Sequence, residues 1–242
     1  MSRELVQSIG VARGVFHRAA GVIVSPRATL AEVAQDPRPV PMLALVSICV
    51  AASSALFLAT PVGKLAWLDE AVRQLEAFGR VVSDAQYARL ERLKEYAAYV
   101  ALAEGLVVIP LLALLTAAVV NGVLTVTRGA GASFRQALGI VAASGVIVAL
   151  RQLFELPLSY ARESMTNATT VGRLLPVLPE GSLAARLFGI IDLFVIWYLA
   201  VFATGLAILF RRPLRRIAIA LFSLYGLIAL GLAIVLALLG GS

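Results

Sequence analysis

Charge is scarce in this sequence. Asp, Glu, Lys and Arg make up 14% of its 242 residues, where a soluble domain carries about 25%. Hydrophobic residues take 60%, and the mean hydropathy is +0.92. Those values exclude an ordinary water-soluble enzyme and a disordered chain. Cysteine occurs once, as Cys49, so no disulfide can form within the chain. Histidine also occurs once, as His17, so a His/Cys metal cluster within one chain is excluded and no cofactor is expected. Lysine is nearly absent: Lys64 and Lys94 are the only two among 21 basic residues. An arginine-dominated, Ala- and Leu-rich composition points to a GC-rich, bacterial genome. The net charge of +7 would suggest nucleic acid on a soluble protein. In a chain this apolar it is read first as loop sidedness, and no nucleic-acid partner is expected.

What is present is a series of long apolar runs. The first residues do not read as a cleavable signal peptide, because Arg3, Arg13, His17 and Arg18 interrupt them. Leu5, Ile9, Val15, Phe16, Val22 and Ile23 recur at helical spacing, which predicts an amphipathic, interfacial helix over 4–23. Ser25-Pro26 breaks it. Thr29 and Glu32 read as a capping box for a short helix that Asp36-Pro37 ends. Five spans follow, at about 40–60, 97–127, 134–156, 187–210 and 217–240. Residues 61–95 mix charges of both signs along apolar stripes and read as an extracytoplasmic helical hairpin, its second helix capped by Ser83 and Gln86. Residues 157–186 form a second outer loop from Pro157, with Ser182 as the next cap. The expected fold is all-α: a polytopic membrane protein with a five-transmembrane-helix bundle at 40–240 behind a cytoplasmic, interfacial arm at 1–39.

Sidedness follows from the basic residues. Segments 1–38, 128–135 and 211–216 sum to +8, and the opposite side sums to +1. The basic side is expected to be cytoplasmic, with the N-terminus inside and the C-terminus outside. Arg13, Arg18, Arg211, Arg212, Arg215 and Arg216 are the expected contacts to anionic lipid there.

Four charges fall inside the spans: Glu104, Arg151, Glu155 and Asp192. Counted from the inner ends of their helices, Glu104, Arg151 and Asp192 lie about 35, 24 and 28 Å up at ~1.5 Å per residue, so the four share one depth. A lone charge there is costly, up to ~2.5–3.5 kcal/mol at the bilayer centre. Arg151 is expected to pair with Asp192 or Glu104; the alternative is that these side chains snorkel to the headgroups. No matching charges occur at inner-leaflet depth to continue an ion path. Gly139 with Ala143, and Ala229 with Ala233, are small-residue pairs that permit close helix approach.

Other motifs carry little. Gly129-Ala-Gly131 lacks the strand before it and the Gly-Lys-Ser/Thr ending of a phosphate cradle. Ala142-Ala-Ser144-Gly145 is similar to the serine motif of intramembrane proteases, but its first glycine is missing and no span contains histidine. Asn167-Ala-Thr169 fits a glycosylation sequon by chance.

Taken in order, several stretches resemble the bacterial form of the Yip family, the Ypt/Rab-interacting-protein membrane domain. They are Val24-Ser-Pro26 to Asp36-Pro37 with Pro41, the turn Thr127 to Ala137, and Ile191-Asp192 to Trp197-Tyr198 with Gly205. The five-span layout adds to them. The Asp-Leu-Tyr-Gly-Pro motif of eukaryotic members is absent. The resemblance implies a membrane scaffold or adaptor, not an enzyme, with an ABC-type transporter as a possible partner. It marks Arg128, Gly129, Gly131 and Phe134 as a family-like turn. The alternative is an accessory or permease-like subunit of a transporter.

Overall fold

The computed structural model describes residues 3–77, 79–128, 133–165, 169–170 and 188–239, with side chains for all of these except 3–13, 127–128 and 236–239. The described chain is helical, and its one β-pairing is an isolated bridge between Thr170 and Asp192. Among the described residues, five helices are long and apolar enough to cross a membrane: Pro39–Leu58, Asp84–Val126, Phe134–Arg162, Leu193–Phe210 and Leu214–Val235. The protein is therefore an integral membrane protein, with five spans among the described residues.

Helix α1 covers Arg3–Val24 and α2 covers Pro26–Gln35. The α2 start differs from the expected box. Ser25 occupies the cap position without a side-chain bond, and Pro26 takes the first turn, where its fixed φ and missing N–H cost nothing. Thr29 lies inside the helix and donates back to the Ser25 carbonyl at 3.1 Å.

Span one, α3 (Pro39–Leu58), turns directly into α4 (Pro61–Ala77). Thr60 makes that corner. Its hydroxyl donates to the Phe57 carbonyl at 2.7 Å and accepts from the Gly63 N–H at 3.0 Å, so it caps α4 just before Pro61. A Cβ on Gly63 would lie 2.0 Å from the Phe57 carbonyl oxygen, so this position must be glycine. At the other end of α4, Gly79 adopts φ 73°. The Gly79 N–H reaches Glu76 O and the Arg80 N–H reaches Leu75 O, a Schellman stop.

Ser83 and Gln86 then cap α5 (Asp84–Leu93) reciprocally, as their spacing predicts. From there the helix is continuous into span two, through a 3-10 turn at Lys94–Tyr96, α6 (Ala97–Ala103), a π turn at Glu104–Val108 and α7 (Ile109–Arg128). Span three comprises α8 (Phe134–Ser144) and α9 (Val146–Arg162), separated at Gly145. It outruns its expected end. Pro157 removes one backbone donor but lies inside α9, a loss that membrane helices tolerate. The stop comes at Glu163, with φ 52° and Schellman bonds from its own N–H to Tyr160 and from Ser164 to Ser159. Span four is α10 (Leu193–Phe210) and span five is α11 (Leu214–Leu239). Arg211 (φ 43°) ends α10 with the same bond pattern. Ser182, the expected cap of span four, and the rest of 171–187 lie outside the described residues.

The chain divides into two compact units. The first comprises Met1–Cys49, Gly105–Leu150 and Trp197–Leu221. Within it α8 packs on α7, α2 and α1. Leu30, Leu124 and Ile140 are fully buried there. Gly205 of α10 faces Ile140 so closely that a Cβ would meet Cγ2 at 2.3 Å, which makes Gly205 a close-approach position. The second unit comprises Val50–Glu104, Arg151–Ile196 and Phe222–Ser242. Its apolar core joins Phe57, Leu58, Ala66, Ala97 and Ala101.

Candidate functional site

The second unit holds a buried cluster of charges. Arg151 and Glu155 stand one turn apart on α9, so they share a face. Arg151 Nε donates to Glu155 Oε1 at 3.2 Å. An outer nitrogen of the same guanidinium lies 3.2 Å from Asp192 Oδ2. The Asp192 side chain is 4% exposed, Glu155 14% and Arg151 25%.

Asp192 is also the cap of span four. Its Oδ1 accepts from the backbone N–H groups of Phe194 at 2.8 Å and Val195 at 3.2 Å. The positive end of α10 thus adds to the guanidinium in compensating the carboxylate. Two hydroxyls complete the arrangement. Thr169 Oγ1 lies 2.5 Å from Asp192 Oδ2 and 3.0 Å from Glu155 Oε1, so its single proton bridges the two carboxylates. Tyr225 on α11 donates to the Ile190 carbonyl at 3.2 Å and accepts from the Asp192 N–H at 3.4 Å. The Leu193 N–H bonds the Thr169 carbonyl at 3.2 Å. Phe154 and Phe194 pack beside it with ring centroids 5.6 Å apart.

Three of the four charges singled out from the sequence therefore meet. Glu104 does not join them: it opens the π turn, its side chain is exposed, and it has no ion-pair partner among the described residues. Thr169 and Tyr225 were not foreseen, because neither spacing nor charge links them to Asp192. The cap role of Asp192 was missed as well, because span four was expected to start at 187 and it begins at Leu193; an Asp directly before an apolar run is the signal that could have shown it.

The first unit binds its motifs to one another. Arg18 of α1 pairs with Glu32 of α2 at 3.0 Å and with Asp36, just past the end of α2, at 3.1 Å, and donates to the Asp36 carbonyl at 3.2 Å. Its charge is engaged there, with the side chain 15% exposed. Arg38 reaches Asp36 at 2.9 Å. Ser133 and Gln136 form a capping box at the start of α8, and Gln136 Nε2 donates to the Ala34 carbonyl of α2 at 2.8 Å. Three residues on, Gly139 lies against Val33 and Pro37. The stretch 24–37 and the segment after the 127–133 turn thus recognise each other directly.

Phe134 is exposed at that turn; Gly129, Gly131 and the side chains of Arg13 and Arg128 lie outside the described residues. Arg211, Arg212, Arg215 and Arg216 are exposed, with no ion pair among the described residues. Ser144 is fully buried, and its hydroxyl, like that of Ser47, has no hydrogen-bond partner among the described residues. No group of three or more His, Cys, Asp or Glu residues poised to hold a metal occurs among them.

Compared with known proteins, the chain matches the family model of the Yip1 domain over residues 20–237. No curated protein and no solved structure gave a match.

Proposed function

The chain belongs to the Yip1 domain family of membrane proteins, and from that premise we propose that it is a scaffold or adaptor that holds or assists a membrane complex, with no chemistry of its own. One contrast carries this reading. The polar groups buried at Asp192 are engaged with one another, while broad apolar helix faces are left open. On α7, Leu111, Leu112, Leu115 and Val119 are exposed, and on α11, Ile219, Leu227 and Ile228 are. A window of span five is only 11% buried inside the protein, against 56% for span three. A self-satisfied clasp inside and apolar faces outside suit a protein that is packed against rather than one that opens.

The membrane is the bacterial cytoplasmic membrane in this reading, with the N-terminus inside. The charge asymmetry of the loops supports that orientation. The exposed arginines at 211–216 support contact with anionic lipid on the same face. The partner class is a membrane protein such as an ABC-type transporter.

Glu104 favours a second reading, a transporter subunit, because an exposed carboxylate opens a π turn within a span. Two measurements separate the readings. Capture of the intact chain in mild detergent should retain an ATPase-linked transporter, and vesicles containing the chain alone should pass no solute or ion. Flux through the chain alone that a Glu104→Gln variant abolishes refutes the scaffold.

A further inference from the structure

A second polar pair, away from the clasp, stands at the mouth of an apolar groove. Span one and the start of span two diverge around a cavity of about 560 Å³. Its walls are Ala52, Ala55 and Leu56 on α3, Ala59 just past its end, and Ala98, Tyr99 and Leu102 on α6; Lys64 and Glu95 close one end as an ion pair.

We propose that this groove holds one zwitterionic glycerophospholipid of the phosphoethanolamine class, its acyl chain along the alanine wall and its headgroup on Lys64 and Glu95. Position argues for it. Lys64 lies just past the Thr60–Pro61 corner that ends span one, and Glu95 just before the apolar run from Ala97. Both charges thus fall at the headgroup level of the same leaflet. Length argues for it too. The wall from Ala52 to Ala59 extends only about 10 Å at ~1.5 Å per residue. That matches the headgroup-proximal part of an acyl chain and is too short to seat a spanning helix of a partner, which needs ~30 Å.

Charge complementarity selects the headgroup. An ammonium has three donors, and Lys64 directs one to Glu95 Oε2, which leaves two for a phosphate. Glu95 uses only that oxygen and keeps the other for an ethanolamine ammonium. A lysine and a carboxylate side by side mirror a phosphate and an ammonium side by side. A headgroup with the phosphate but no ammonium, such as phosphatidylglycerol, would bring an anion beside Glu95 without a cation to meet it and be disfavoured. Tyr99, strongly exposed on the rim, has the amphipathic ring enriched at this depth.

The test is native mass spectrometry of the whole chain. It is released in mild detergent from vesicles of equal phosphatidylethanolamine and phosphatidylglycerol with identical acyl chains. One phosphatidylethanolamine per chain is expected to remain bound. Lys64→Gln should lower that fraction about tenfold, the loss of a charge-assisted contact. Ala59→Trp and Leu102→Trp, at exposed wall positions on opposite sides, should each remove it while the chain elutes as wild type. Equal retention of the two lipids, retention unchanged in both tryptophan variants, or a second polypeptide bound in place of lipid overturns the proposal.

Discussion

Removing the charge of Asp192 and that of Arg151 should cost less together than apart. Arg151→Met leaves Glu155 and Asp192 facing each other across the Thr169 hydroxyl without the cation between them. Breaking a buried pair from one side costs about 3–5 kcal/mol, and the partial exposure of Arg151 places this variant near 3 kcal/mol. Asp192→Asn keeps a side-chain oxygen for the Phe194 and Val195 amides, so the cap persists. It loses the charged contact to Arg151, about 2 kcal/mol, while Arg151 keeps Glu155. The double variant removes both charges. A buried pair exchanged for neutral groups is close to balanced, so its cost should be about 2–3 kcal/mol, and the coupling energy about 2 kcal/mol. Asp192→Ala adds the lost cap, about 1 kcal/mol beyond Asp192→Asn. Unfolding in mixed micelles of mild detergent and dodecyl sulfate, read by tryptophan fluorescence, gives these differences. Additivity of the two single variants within about 0.5 kcal/mol would refute the clasp and favour side chains that act independently at the headgroups.

Glycine positions give sharper contrasts. Gly63→Ala places a Cβ 2.0 Å from a backbone oxygen; neither side can yield, so a loss of 3 kcal/mol or more and a collapse in folded yield are expected on size-exclusion chromatography. Gly205→Ala meets only the Ile140 side chain and should cost about 1–3 kcal/mol. Ile140→Leu removes the offending Cγ2, so it should recover at least about 0.5 kcal/mol of that loss in the double variant. Glu163→Gly relieves a left-handed residue at the α9 stop, and a gain of about 0.5–1 kcal/mol is expected in the same unfolding assay. In a Cys49→Ser background, cysteines placed at Arg212 and Arg80 should react with an impermeant maleimide from opposite sides of sealed vesicles; labelling from one side refutes the assigned sidedness.

Hydropathy and punctuation made the architecture legible. Five runs without enough charge to remain in water can be placed by counting, and Ser83 with Gln86 announces its cap because the box is local in sequence. Where the reading and the structure part, a nonlocal or context term decides. Pro157 looks like a stop because its missing donor is a loss in water. Within a membrane helix that already has a Schellman stop six residues on, at Glu163, the loss is absorbed. Thr29 and Glu32 have the spacing of a box, yet Pro26 starts the helix a turn earlier, which frees Glu32 to bind Arg18.

The clasp shows the same division. Arg151 and Glu155 are neighbours by helical spacing, so their pairing is written in the sequence, and the cost of isolated charge in lipid makes a partner for Asp192 expected. Which partner it takes depends on where α9 and the residues before α10 meet, and no local rule gives that. Thr169 is the telling residue. In sequence it is a threonine in a chance sequon; in the structure its carbonyl receives the Leu193 amide and its hydroxyl bridges two carboxylates. Two carboxylates and one guanidinium would leave a net negative charge in an apolar setting. The hydroxyl and the amides at the start of α10 supply the missing donors. The helix start and the ion pair are therefore one structure: Asp192 can hold Arg151 because α10 begins there, and span four is fixed against span three by the same carboxylate that caps it.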